Sequence, residues 1–288
     1  MDSFISAGLI GLSLGAQYAL LALGFTLIFG ILGVVNFAHG GFYLLGGYVA
    51  YVGVSWFGMP YPLAVVCAAL ATAVLGYLFE LLLLERVIDN HLATLILTLG
   101  LYLVICTAVV VVFGPDAPLF QFPVDGVLHF GGVYLPLANL IVFAVCFGAI
   151  GLTYGLLYRT NFGRSLRALS EDRPVAVALG IRARVMFPLA FALATGLAGM
   201  TGALVTPILS LTPHVGDPVL AASFLVVILG GLGSLGGATI AAFLVGLVEA
   251  YAAVYLGGSK GALMLFVLVL IVLLVRPTGL MGVRTRGA

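Results

Sequence analysis

The sequence predicts an all-α integral membrane protein, a polytopic bundle of about eight to ten transmembrane helices with glycine-rich interruptions and one charged loop. Three observations predict this fold class. Hydrophobic residues make up 63% of the 288 residues and charged residues only 7%, whereas roughly a quarter of the residues in soluble domains are charged. The apolar residues form long runs that contain most of the 39 glycines. The only dense charge lies in residues 159–184, which hold 6 of the 11 Lys and Arg residues.

A helix of about 20 apolar residues crosses a hydrocarbon core of roughly 30 Å. The sequence contains seven separate runs that we assign to one crossing each: 6–31, 42–58, 61–84, 92–113, 134–157, 185–211 and 261–275. The run 219–256 would be about 57 Å long as one helix, and glycines from Gly230 to Gly237 interrupt it, so we divide it into two. Nine crossings are predicted, and residues 1–288 are expected to form a single transmembrane domain.

The distribution of arginines orients these crossings, because short cytoplasmic loops are enriched in Lys and Arg. Arg86, the stretch 159–184 and the arginines of the C-terminal tail (Arg276, Arg284 and Arg286) are therefore expected in the cytoplasm. The segment 114–133 has acidic residues but no Lys or Arg, and it is expected outside, as are the N-terminus and the turn 212–218. A net charge of +1 gives no basic field for nucleic acid, so the partners are membrane lipid and other proteins.

The charged stretch contains a short apolar helix with recognisable ends. Asp172 is a suitable N-cap, Pro174 falls in the first turn, and Gly180 supplies the residue after the helix. Between them, residues 175–179 make about two turns, a length that is marginal in water without something to pack on. Two interpretations remain open: the helix docks into a groove of a cytosolic protein, or it folds back on its own membrane domain or the lipid interface.

Two glycine clusters contain polar residues and are candidates for the permeation pathway. The first, residues 29–41, contains Asn36, His39 and Gly40, and the second, residues 228–237, contains Gly230, Gly231, Gly233 and Ser234. Non-helical backbone at membrane depth occurs only where it is buried in protein or lines a cavity, and glycine interruptions in transporters point to the transport route. Short, closely packed turns are an equally good interpretation of each cluster.

Two acidic residues lie within apolar runs. Glu249 either lines the pathway or accepts a hydrogen bond from a neighbouring helix, and the structural role is favoured. Glu80 is expected to snorkel to the cytoplasmic end or to pair with Arg86. The sequence has no P-loop, since the nearest string, residues 257–261, lacks the Gly-Lys-Ser/Thr order. It also has no metal-spaced or catalytic set, so neither an enzyme nor a cofactor is expected.

Four motifs, in the same order and spacing, make the whole chain resemble the branched-chain amino acid ABC transporter permeases of the LivH type. They are 36–40 (NFAHG), 159–181 (RTNFGRSLRALSED running to ALGI), 229–238 (LGGLGSLGGA) and 276–282 (RPTGLMG). The chain departs from the family pattern at Gly41, where an acidic residue is usual, at Gly236, where proline is common, and in the short segment 87–91.

This resemblance implies the permease subunit of an importer in the bacterial cytoplasmic (inner) membrane, moving branched-chain or related amino acids by alternating access. It implies a second permease subunit, two cytosolic ATPases and an extracytoplasmic solute-binding protein. The stretch 158–184 would be the loop that couples to the ATPases, and the family pattern places Glu171, Asp172 and Gly180 in it. Our candidate contact residues in this loop also include Arg164, Arg167, Ala176 and Ala178. The alternative function is a stand-alone secondary transporter or channel that uses Glu249 or Glu80.

Overall fold

The computed structural model describes residues 2–88, 90–130 and 132–282, so Arg284 and Arg286 of the predicted cytoplasmic tail lie outside the described residues. The described residues form eleven α-helices and one antiparallel hairpin. The helices are α1 Asp2–Leu32, α2 His39–Ser55, α3 Tyr61–Leu82, α4 His91–Phe113, α5 Leu137–Arg159, α6 Asn161–Glu171, α7 Arg173–Ala178, α8 Ala183–Leu209, α9 Gly216–Gly230, α10 Leu235–Leu256 and α11 Gly258–Val275. The strands are β1 Val127–Phe130 and β2 Val133–Pro136, and a 3-10 turn spans Leu84–Arg86.

An apolar helix lies at each of the nine predicted runs, which confirms the polytopic all-α fold. Six of the described helices are long and apolar enough to cross a membrane, namely α1, α3 with its 3-10 turn, α4, α5, α8 and α10. In contrast, α2 has 17 residues and α9 has 15, which correspond to only about 25 and 22 Å of helix. Helix α11 has 18 residues, and its apolar run in the sequence covers only residues 261–275. Nine complete crossings therefore remain a prediction.

The chain divides into two compact units. The first contains residues 1–26, 122–149 and 221–288, and the second contains residues 27–121 and 150–220. A single domain over 1–288 stays a prediction.

In the first unit, α1 and α10 pack closely because glycines remove the side chains between them. A Cβ placed on Gly11 would lie 2.9 Å from the Cα of Leu247, and one on Gly15 would lie 2.8 Å from the Cα of Phe243. Small residues allow this approach, and helix association in membranes depends on such contact. The same pair of helices also carries a hydrogen bond, in which the Tyr18 hydroxyl donates to Oε2 of Glu249 at 2.7 Å.

In the second unit, α2, α3 and α8 form the core. Gly46 of α2 and Gly199 of α8 are in contact along their backbones, and Gly76 of α3 packs against the side chain of Thr195. The Thr195 hydroxyl donates to the carbonyl of Phe191 in its own helix at 2.9 Å, so this polar group is satisfied inside the apolar core. The core thus combines close backbone contact at small residues with buried aromatic side chains, since the ring of Phe191 in α8 contacts those of Phe42 in α2 and Phe79 in α3.

Candidate functional site

The ends of α7 are the ones that the sequence predicts. The Asp172 carboxylate accepts a hydrogen bond from the N–H of Val175 at 3.0 Å, and Pro174 lies in the first turn. At the other end, Gly180 has φ of +92°. Its N–H donates to the carbonyl of Val177 at 2.9 Å, and the N–H of Ile181 donates to the carbonyl of Ala176 at 3.1 Å. This pair of bonds is a Schellman motif, which fixes where the helix stops.

The preceding helix, α6, is amphipathic and anchored at its start. The Thr160 hydroxyl caps it by accepting a hydrogen bond from the N–H of Gly163 at 3.2 Å. Gly163 packs on the backbone of Leu157 at the end of α5, where a larger residue has no room. Leu166 and Leu169 are buried. These contacts fix the direction in which the chain leaves the membrane-spanning helix α5.

The arginines of α6 make two different contacts. Arg164 is exposed and donates to the side chain of Asn161 in the same helix. The guanidinium of Arg167 lies over the ring of Tyr158, 4.6 Å from its centroid, in a cation–π arrangement. Arg164 is therefore available at the surface, whereas Arg167 holds α6 against the end of α5.

The exposed face of α7 differs from the predicted one. Ala176 is only 2% exposed, so it packs inward and offers no surface to a partner. The prediction that Ala176 is a contact residue is therefore corrected. Ala178, Glu171 and Asp172 are exposed as predicted. The sequence analysis missed the apolar side chains that point outward from α7, which are Val175, Val177 and Leu179.

Next to α7 lies an open groove of about 760 Å³. Its wall continues from α7 through Gly180 and Ile181 to the start of α8. Two contacts connect this region to the membrane-spanning helices: Arg184 Nε donates to Glu85 Oε1 at 2.8 Å, and the guanidinium of Arg173 lies 4.9 Å from the ring centroid of Phe187. The Arg173 contact thus joins α7 to α8, and the Arg184–Glu85 pair joins α8 to the turn after α3.

The first glycine cluster contains a non-helical segment of the second unit with buried residues at its end. Residues 33–38 separate α1 from α2. The Asn36 side chain is 0% exposed, and its Oδ1 accepts a hydrogen bond from the N–H of Ala38 at 3.0 Å. The Nδ2 of Asn36 has no hydrogen-bond partner among the described residues. His39, the first residue of α2, is also buried.

The contacts of α2 with α4 show how deep this segment lies. A Cβ placed on Gly41, at the start of α2, would lie 3.2 Å from Cδ2 of Tyr102, which is the middle residue of α4. The ring of Tyr48, one to two turns later, lies 4.7 Å from the ring of Phe113, the last residue of α4. Because α4 is long enough to cross the membrane, α2 begins near the centre of the bilayer.

Helix α9 begins at the same depth in the membrane as α2. A Cβ on Gly40 would lie 2.7 Å from the carbonyl oxygen of Gly216, and the Tyr102 hydroxyl donates to Oδ1 of Asp217. We call Asn36, Gly40, Gly216 and Asp217 the α2–α9 junction. The sequence analysis assigned Gly216 and Asp217 to an outside turn; the structure corrects this, because both residues lie level with the middle of α4.

The second glycine cluster is a tight turn in the first unit. Gly231 and Gly233 have φ of +101° and +83°, and the Ser234 hydroxyl caps α10 by accepting from the N–H of Gly237 at 3.1 Å. The segment 276–282 closes over the turn: the N–H of Leu280 donates to the carbonyl of Leu229 at 2.8 Å, and the N–H of Met281 donates to that of Gly230 at 3.0 Å. Two of the four motifs thus pack on each other.

The two intramembrane acids have different surroundings. Glu249 accepts the hydrogen bond from Tyr18, as expected for its structural role. Glu80 is 0% exposed, and neither of its carboxylate oxygens has a hydrogen-bond partner among the described residues. Its predicted snorkelling and its predicted pairing with Arg86 are therefore both wrong, since the carboxylate is buried and contacts no donor among the described residues. The neighbouring Glu85 instead pairs with Arg184.

Comparison with known proteins gives a consistent result. The model of a family described as "Branched-chain amino acid transport system / permease component" matches residues 9–275. The high-affinity branched-chain amino acid transport system permease protein BraD of Pseudomonas aeruginosa is 31% identical, over 94% of each chain. The LivH protein of Salmonella typhimurium, with the same description, is 29% identical over 94% of this chain and 93% of its own. No solved structure matches the chain.

Proposed function

Because this chain belongs to the family of branched-chain amino acid transport permease components, we propose that it is the membrane-spanning subunit of an ABC importer for branched-chain or related amino acids. It works in the bacterial cytoplasmic membrane with a second permease subunit, two cytosolic ATPases and an extracytoplasmic solute-binding protein. The partner subunits supply ATP hydrolysis, since the sequence has no P-loop. This subunit supplies the pathway and the coupling to the ATPases.

The observation that carries this proposal is the construction of α7. A helix of six residues is too short to be stable alone, yet its two ends are capped and Ala176 is buried. It therefore presents Val175, Val177 and Leu179 to the surroundings in a fixed geometry. An exposed apolar patch on a rigid support is typical of an interaction site. In this proposal the Arg173–Phe187 contact couples movement of α7 to α8, and the Arg184–Glu85 pair couples α8 to the end of α3.

The docking of the ATPase is tested by replacing Leu179 with aspartate. Leu179 is 79% exposed, so the substitution leaves the fold of the permease intact and places a charge in an apolar contact. Loss of such a contact reduces binding by about tenfold or more. The measurement is co-purification of the ATPase with the permease in detergent, together with ATP-driven leucine uptake in proteoliposomes.

The matched control is Leu119→Asp, which makes the same change at a leucine that is 82% exposed and lies in the segment predicted outside. Co-purification and uptake are expected to stay at the wild-type level in this variant. Equal co-purification and equal uptake for the two variants would show that α7 is not the docking surface.

A second candidate function is a stand-alone carrier or channel, which the buried, unpaired carboxylate of Glu80 favours. Carboxylates inside membranes mark ion and proton pathways in many transporters. This function predicts gradient-driven uptake in liposomes that contain only this chain. ATP-dependent uptake that needs the ATPases excludes it.

A further inference from the structure

The α2–α9 junction brings the N-termini of two short helices together at the centre of the membrane. A helix N-terminus carries a partial positive charge and N–H groups that have no acceptor within the helix. Water, the usual partner of such groups, is absent from the hydrocarbon core. In transporters with interrupted helices, N-termini of this kind bind the anionic groups of the substrate near the bilayer midplane. The junction has the geometry of such a site.

The N-termini of α2 and α9 differ in whether an acidic side chain lies near their partial positive charge. The first turn of α9 contains the carboxylate of Asp217, whereas the first turn of α2 contains no acidic residue. The positive end of α2 therefore lacks a counter-charge from its own first turn. In this chain Gly41 also lacks a side chain, and Tyr102 occupies the neighbouring space.

Asn36 is a second, independent indication that the junction is a binding site. Its Oδ1 is held at the start of α2 by the N–H of Ala38, which fixes the plane of the amide and places Nδ2 at the same helix end. This donor is completely buried and has no partner among the described residues. A buried donor without an acceptor is costly, and it regains its hydrogen bond when an acceptor enters the junction.

We infer that the α2–α9 junction binds the charged backbone groups of the transported amino acid. The substrate α-carboxylate accepts hydrogen bonds from Asn36 Nδ2 and the first turn of α2, and the α-ammonium faces the carboxylate of Asp217. The Asp217 side chain is 53% exposed, so it is accessible to a ligand, and its Oδ2 lies 3.5 Å from Nδ1 of the exposed His214. The contact between Gly40 and Gly216 closes the junction in this structure, and separation of the two glycines admits the substrate. This inference rests on the proposed function and adds to it the place where the substrate is held.

The test uses the assembled transporter in proteoliposomes and measures ATP-driven uptake of leucine. Asn36→Asp keeps the acceptor that binds Ala38 but replaces the free donor with a second oxygen, which repels a carboxylate. Uptake is expected to fall by about tenfold or more, while co-purification of the ATPases stays unchanged. Asn90→Asp is the matched control, because Asn90 also accepts a hydrogen bond at a helix N-terminus, from Ala93, but lies on an exposed end. It is expected to transport like wild type.

A second variant, Asp217→Asn, keeps an acceptor for Tyr102 and removes the charge that faces the ammonium. The KM for leucine is expected to rise by about tenfold with little change in the maximal rate. If Asn36→Asp fails to assemble, this variant decides the outcome. Wild-type uptake kinetics in an assembled Asn36→Asp transporter, or an unchanged KM in Asp217→Asn, would overturn the inference and leave the proposed function intact. Absence of ATP-driven uptake in the wild type would instead count against the proposed function.

Discussion

The two glycine-rich breaks in the helices look alike in the sequence and differ in the structure. In residues 33–41, the start of α2 packs against the middle of α4, and the buried Asn36 amide has a donor with no partner among the described residues. Residues 230–237 form a turn whose polar groups are satisfied by the Ser234 cap and by backbone bonds to Leu280 and Met281. The first break has a buried donor without a partner among the described residues, whereas the polar groups of the second are satisfied by its own chain.

This difference shows that glycine content by itself does not identify a transport pathway. Glycine allows close approach of backbones and positive φ values, and both breaks use it in that way. The feature that distinguishes them is the depth of the first break and the buried polar group that it leaves without a partner. Gly230, Gly231, Gly233 and Ser234 stay predicted pathway residues, but their contacts favour a structural turn.

The largest expected effect comes from Gly40→Ala. The added Cβ would lie 2.7 Å from the carbonyl oxygen of Gly216, and the backbone must move to accept it, at a cost of about 1–3 kcal/mol. Because the junction no longer closes, ATP-driven uptake is expected to be lost and the Tm of the purified protein to fall. Thermal unfolding and proteoliposome uptake measure the two effects.

Gly236→Ala is the corresponding change in the second break. A Cβ there meets only Met281 Sδ, at 4.0 Å, and alanine is better than glycine in a helix by roughly 0.5–1 kcal/mol. The Tm is expected to rise slightly with normal uptake. Equal losses of uptake in the Gly40 and Gly236 variants would remove the distinction between the two breaks.

A smaller effect is expected for Gly231→Ala. Its φ of +101° is strained for alanine, and the Cβ would meet the backbone of Gly282 and of Thr278. We expect a loss of about 1–2 kcal/mol and release of the segment 276–282 from the turn. Limited proteolysis of the C-terminus detects this release, and uptake per assembled transporter is expected to stay normal. Lost uptake with an intact C-terminus would place the second break in the pathway.

Ser234→Ala is expected to have the smallest effect. It removes the N-cap of α10, which contributes about 1 kcal/mol, and leaves the glycines of the turn in place. A modest fall in Tm without a change in the KM for leucine is the expected result. A raised KM would mean that the Ser234 hydroxyl contacts the substrate.

The sequence predicted the local features of the coupling region well. Asp172, Pro174 and Gly180 define α7 because capping and positive φ depend on residues a few positions apart. Sequence reasoning did not identify Val175, Val177 and Leu179 as the exposed face. A helix of six residues has fewer than two turns, so the sequence pattern cannot show which side of it is buried. The burial of Ala176 in the structure identifies that side.

Longer-range features were beyond the reach of the sequence. The pairing of Glu85 with Arg184 joins residues 99 positions apart, and the expected partner of Glu80 was wrong because proximity in the chain was taken for proximity in space. Asp217 was placed in an outside turn because the preceding run was treated as a complete crossing. The depth in the membrane at which a helix begins depends on the helices that pack against it. The hydropathy of a single segment carries no information about those helices.

By itself, the sequence determined that this chain is a polytopic helical membrane protein with one charged loop, because lipid demands long apolar helices and excludes charge. It also determined the helix ends that short-range capping controls, and its motifs indicated the family. The tertiary structure alone decided that α2 and α9 begin at one point inside the membrane and that Asn36 is left with an unpaired donor there. The common start of the two helices arises from contacts between residues far apart in the chain, such as Tyr102 and Asp217, 115 positions apart, which no local pattern encodes.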